Sequence, residues 1–189
     1  MLDLNPVMDA QDEAAAIWME ITETTGGCVG RKYAKSVGVV TTPVIRQHLM
    51  AHGFSVSERD VFIRGLPLEI DLLVTTPNAK PAHGVIYDPS DVLVALEIER
   101  SGASSTTAAH MKDACLSICG LVGAVVPCAY VTLQERTGHK HHPKECDEFQ
   151  VFCLFWHTGE RDRSKPNISE DWGRLLDWLG DIVQPDSGQ

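Results

Sequence analysis

Residues 68–74 read Leu68-Glu69-Ile70-Asp71-Leu72-Leu73-Val74, and residues 94–100 read Val94-Ala95-Leu96-Glu97-Ile98-Glu99-Arg100. Side chains of a strand alternate between its two faces. In the first stretch Glu69 and Asp71 therefore share a face, and Ile70, Leu72 and Val74 occupy the other. In the second, Glu97 and Glu99 share a face opposite Leu96 and Ile98. Each of two nearby strands thus offers carboxylates from positions surrounded by core residues. A buried charge without a partner is very costly, so something cationic should compensate. A hard divalent ion bound through oxygen is the simplest candidate. The bland alternative is acids at strand ends that face solvent or pair with Arg64, Arg100 or Lys112.

Working outward, Asp91 to Glu99 is the strongest strand in the chain, apolar on both faces over most of its length as a central strand should be. Residues 54–63 and 68–74 read as strands joined by the turn Arg64-Gly65-Leu66-Pro67, and residues 77–90, with Pro77, Pro81, Gly84 and Pro89, read as a loop. Asp9 to Thr24 is helix-like, with Ala14, Ile17, Trp18 and Ile21 at three- and four-residue spacing. Thr41-Thr42-Pro43 reads as the start of a second helix that ends at Gly53. Ser104 to Thr107 opens a helix to about Val122, then come strands at 125–133 and 149–156, and a final amphipathic helix over Glu170 to Val183. The expected fold is α/β, a central mixed β-sheet flanked by helices. The expected organisation is an N-terminal helical extension (1–40), an α/β core (41–160) and a C-terminal amphipathic helix (161–189) packed on the same domain.

Composition narrows the function. The 189 residues are 43% hydrophobic, enough for a buried core. No apolar run approaches the roughly 18–20 residues needed to cross a bilayer. Residues 1–25 carry six acids and no base, which fits neither a secretory signal nor a transit peptide, so a cytoplasmic protein without a membrane partner is expected. The formal charge of −10 sits mostly at the ends; residues 26–159 hold twelve bases against thirteen acids and all eight His. A near-neutral middle lacks the basic face of a typical nucleic-acid binder, but does not exclude one. The six Cys form no CxxC pair and are expected as reduced thiols. The segment from His139 to Cys146, with His141 and His142, matches no closed zinc pattern and reads as a polar loop. Arg31, Lys32 and Lys35 form the most basic stretch, a candidate backbone contact for nucleic acid.

The order of a helix ending near Gly53, a hairpin whose second strand carries Asp71, a strand with Glu97-Ile98-Glu99 and a following helix resembles the PD-(D/E)XK nuclease superfamily, the restriction-endonuclease-like fold. Residues 65–74, of the shape GxxxEIDLLV, are most similar to its Holliday-junction-resolvase-like members. The resemblance spans roughly residues 41–133. It implies that Asp71 and Glu97 bind Mg²⁺ or Mn²⁺, with the backbone carbonyl of Ile98 as a third oxygen. Glu99 stands where the superfamily usually has Lys; some members carry Glu there, and Lys112 on the next helix is the available substitute. Glu20 or Glu23 would take the place of the acid usual on the early helix. The activity implied is metal-dependent DNA endonuclease, on duplex or branched DNA. The alternative is a catalytically inactive nuclease-fold module for nucleic-acid binding or assembly. Glu99 is the feature that separates them. A homodimer is expected, with Trp172, Leu175, Leu176 and Leu179 of the last helix as its contact.

Overall fold

The computed structural model describes residues 3, 5–25, 30–99, 126–132, 149–154 and 170–183. Helix α1 spans Asn5–Thr25 and α2 spans Gly30–Ala51. Strands β1 (Val61–Ile63), β2 (Glu69–Ile70), β3 (Leu72–Thr75), β4 (Ile86–Tyr87), β5 (Val92–Glu99), β6 (Cys128–Thr132) and β7 (Phe149–Cys153) follow, then helix α3 (Glu170–Val183). A short 3₁₀ turn at Pro89–Asp91 leads into β5. The expected helix at 105–122, which carries Lys112, and the His139–Cys146 segment lie outside the described residues.

Two sheets form. The larger has the order β3-β5-β6-β7, with β3 antiparallel to β5 and the remaining pairs parallel. The smaller has the order β2-β1-β4. The expected adjacency of residues 68–74 and 91–99 is therefore present, as the β3–β5 pair. The larger sheet is buried on both faces, as a mostly parallel sheet should be. On one face Leu72, Val74, Val94, Leu96, Ile98, Val131 and Phe152 meet α2 through Ile45 and Leu49 and α3 through Trp172, Leu175 and Leu179. On the other, Leu73, Ala95, Cys128 and Tyr130 meet Val61, Ile63, Ile70 and Tyr87 of the smaller sheet.

Three readings need correcting. Helix α2 begins at Gly30, not at Thr41, and carries Pro43 in its interior. Proline there removes one hydrogen bond to the carbonyl four residues back, and both Pro43 and Val39 lie on the exposed side, where water can replace it. The helix does end as expected: Gly53 takes φ +91°, its N–H bonds Met50, and the Phe54 N–H reaches back to Leu49. The loop at 77–90 contains a two-residue strand, β4, aligned parallel with β1. Among the described cysteines, Cys153 is not in a disulfide, whereas Cys128 is disulfide-bonded.

Helix α3 spends its apolar stripe on the chain's own core: Trp172, Leu175 and Leu179 are buried, which removes them as the expected dimer contact. Asp171 secures its first turn. One carboxylate oxygen accepts the Cys153 amide of β7 at 2.8 Å and the other accepts Arg174 at 2.6 Å. Asp171→Ala is expected to cost about 1–3 kcal/mol, the desolvation cost of an amide left unsatisfied, read as a lower urea midpoint at unchanged slope. A change within error would mean that the helix is held by its apolar stripe alone. Between α2 and α3, the rings of His48 and His52 stand edge-on to Trp172, at 6.3 and 6.1 Å. Burial, followed by the N-terminal charge and His52, lowers the His48 pKa.

Candidate active site

The stretch Glu69–Thr75 bends at Asp71. Before the bend, Ile70 pairs with Val61 in the smaller sheet; after it, Leu72 pairs with Leu96 in the larger. Asp71 therefore sits where one strand passes from one sheet to the other. The β3–β5 register runs Val74 to Val94, Leu73 to Ala95 and Leu72 to Leu96. Continued by one residue, it sets Asp71 across from Glu97. Directly opposed residues of antiparallel strands hold their Cβ atoms about 4.5–5.5 Å apart. Both acids are half-buried, on the face shared with Leu73 and Ala95.

The Asp71 carboxylate is tied to the neighbouring strand. Its Oδ2 accepts the Ile98 amide at 2.7 Å. Its backbone carbonyl accepts the Asp60 amide at 3.2 Å from the other sheet. Side chain and main chain of one residue thus bridge both sheets, so the carboxylate is aimed by the architecture rather than by its own rotamer preference.

The other expected residues divide. Glu69 is exposed on β2, opposite Phe62, and lies apart from the Asp71–Glu97 pair in the smaller sheet. Glu99 closes β5 in register with Thr132 of β6, and its side chain is outside the described set, as is Lys112. Glu20 and Glu23 are exposed on α1. Arg64 is held by Asp88 at 2.7 Å and does not pair with the site acids. Among the described residues no group of three or more His, Cys, Asp or Glu is placed to hold a metal. What the described residues offer a cation is two carboxylates on adjoining strands. That suits Mg²⁺, which keeps several waters and takes one or two protein carboxylates.

Residues that the strand alternation did not single out surround the bend. Ser57 is buried, and its hydroxyl accepts the Leu73 amide at 2.8 Å. Arg46 of α2 bonds the Ser57 carbonyl at 2.6 Å and the Glu58 carboxylate at 2.7 Å. Asp60 adopts φ +56° and is held by Arg59. The signal for this cluster was the polar run Ser57-Glu58-Arg59-Asp60, which breaks the alternation expected of a strand over 54–63.

No protein-family profile and no curated protein matches the chain by sequence. Solved structures do match by shape. The cAAA-bound form of NucC from P. aeruginosa aligns over 93% of this chain and 90% of its own, with a TM-score of 0.54 and 11% identity. The cAAA-bound NucC of E. coli aligns over 95% and 92%, at 0.53 and 13%. Its apo form aligns over 91% and 92%, at 0.50 and 15%. The fold is that of NucC. The α/β architecture expected from the order of elements, a mixed sheet flanked by helices, is present. The likeness to NucC covers 93–95% of this chain, well beyond the extent of residues 41–133. No helix among the described residues is long and apolar enough to cross a membrane.

Proposed function

We propose that the chain is a metal-dependent DNA endonuclease of the cytoplasm, with Asp71 and Glu97 as the ligands of a Mg²⁺ or Mn²⁺ ion and the carbonyl of Ile98 as a third oxygen. The single observation that carries this reading is the bond from the Ile98 amide to Asp71 Oδ2, which ties the Asp71 carboxylate to the residue next to Glu97 on β5 in a chain whose fold is similar to that of NucC. A bound cation would neutralise the scissile phosphate and lower the pKa of the attacking water. Asp71 and Glu97 would each supply one carboxylate oxygen to the ion. The Ile98 amide keeps Asp71 from turning away. Glu99 accepts the proton of the attacking water, with Lys112 as the alternative cationic partner. In chelator these carboxylates would have no metal ion to offset their charge, so DNA should bind more weakly in chelator than in Mg²⁺. A homodimer would supply two sites for the two strands of a duplex, through a contact other than the buried stripe of α3.

Calorimetric titration with Mn²⁺ tests the ligand pair. The wild type is expected to bind one ion per chain, and Asp71→Ala and Glu97→Ala to bind none. Equal binding by wild type and Asp71→Ala would remove the site. Since NucC has been captured with cAAA bound, cleavage is assayed with and without cAAA. Binding of DNA without cleavage of duplex, single strand or branched junction in Mg²⁺ or Mn²⁺ would favour the inactive module.

A further inference from the structure

Val61 lies five positions after Val56, but Val74 only four after Ile70, although Val56 faces Val74 and Val61 faces Ile70 across the same two chain segments. The segment leading into β1 therefore carries one residue more than its partner. Ser57 bonds Leu73 and Asp60 bonds Asp71, which leaves Glu58 and Arg59 together opposite Leu72. This is a β-bulge, a feature that bends its strand and recurs next to active sites, where it re-aims a side chain. Its last residue, Asp60, holds φ +56°, a conformation costly for any residue with a Cβ and least so for Gly, Asn and Asp.

A strained residue persists only where its surroundings over-determine it. Here they do. Arg46 clamps the Ser57 carbonyl and the Glu58 carboxylate. The Ser57 hydroxyl spans the Leu73 amide and the Glu58 carbonyl, at 2.8 and 2.7 Å. Arg59 grips Asp60 Oδ2 through Nε at 2.7 Å and Nη2 at 2.6 Å. The product of this clamping is one hydrogen bond, from the Asp60 amide to the Asp71 carbonyl, at the point where the strand changes sheets. A regular ladder would carry the strand past this point without a bend. The displaced residue instead turns Asp71 so that its carboxylate meets the Ile98 amide on β5.

We propose that the Glu58-Arg59-Asp60 bulge is the device that aims Asp71, with Asp60 a positioning residue acting through its backbone conformation. Its consequence for metal binding rests on the nuclease reading; its geometry does not. The Ile98 amide reports the aim directly, because its hydrogen exchange is slowed by the bond to Asp71. Asp60→Gly keeps the left-handed conformation, and Asp60→Val, β-branched, opposes it.

The experiment compares these variants with wild type by amide exchange in metal-free buffer and by Mn²⁺ calorimetry. Asp60→Gly is expected within about twofold of wild type in both, and Asp60→Val to exchange Ile98 faster and bind Mn²⁺ more weakly by about 10–100-fold, as when an outer support of a metal ligand is lost. Should Asp60→Val not fold, Asp60→Ala is expected to move both readouts the same way by a smaller factor. Wild-type values in a folded Asp60→Val or Asp60→Ala overturn the proposal. So does loss of both in a folded Asp60→Gly, which would assign the role to the carboxylate; a change in exchange without a change in Mn²⁺ affinity upholds the aiming role and removes only its consequence for the metal. If the wild type binds no Mn²⁺, the nuclease reading fails while Ile98 exchange still decides whether the bulge aims Asp71.

Discussion

Asp71→Ala and Glu97→Ala are each expected to lower Mg²⁺-dependent DNA cleavage by about a thousandfold or more, the rate equivalent of losing several kcal/mol of charge stabilisation at the scissile phosphate. In the proposed site the two acids are the only side-chain ligands, so removing either leaves one carboxylate, too few to hold the cation firmly. Glu99→Ala should lose less, about a hundredfold, because it removes a proton acceptor and leaves the ion in place. A larger loss in Lys112→Ala than in Glu99→Ala would move that role to Lys112. Linearised and supercoiled plasmid, single strands and a branched junction serve as substrates, each in Mg²⁺ and in chelator. Circular dichroism checks that each variant is folded. Full activity in a folded Asp71→Ala would mean that hydrolysis happens elsewhere in the molecule.

The largest effect expected on stability is at Phe152. Its ring, near the end of β7, is almost fully buried, 5.5 Å from the Trp178 ring and 5.5 Å beneath the Arg174 guanidinium. Phe152→Ala removes the ring, opens a cavity in the core between the sheet and α3, and strips Trp178 and Arg174 of a partner. The loss should be about 3–5 kcal/mol. Against a typical total of about 5–15 kcal/mol, that is a large share. Urea unfolding followed by tryptophan fluorescence measures it. A loss below about 1 kcal/mol would mean that α3 collapses onto the sheet without the ring, and that the core shared by β7 and α3 is softer than its burial implies.

The parts of the fold that were legible in the sequence are those set by local periodicity. Helix α3 and strand β5 carry their burial pattern in consecutive residues, and both stand where the 3.6- and 2-residue periods place them. The pairing of β3 with β5 followed from strand order and from the apolar run of residues 91–99. The start of α2 was not legible, because Thr41-Thr42-Pro43 has the local chemistry of a helix start, while the helix in place passes through Pro43 on its exposed side. Strand β4 was hidden by its length of two residues and by the prolines around it. The bulge was hidden for a different reason. A one-residue register shift depends on hydrogen bonds between segments more than ten residues apart, such as Leu73 to Ser57 and Asp60 to Asp71, and no local pattern encodes it. Alternation alone would have placed Glu69 beside Asp71, whereas the bend sends Glu69 to the exposed face of the smaller sheet.

The central claim is that Asp71 and Glu97 hold one divalent cation between β3 and β5. The most direct measurement is anomalous diffraction from crystals soaked in Mn²⁺. The expected result is a single strong peak bounded by an oxygen of each carboxylate and the Ile98 carbonyl, at about 2.0–2.3 Å from each. No peak at this position, or carboxylates more than about 10 Å apart and so unable to share one coordination sphere, would contradict it.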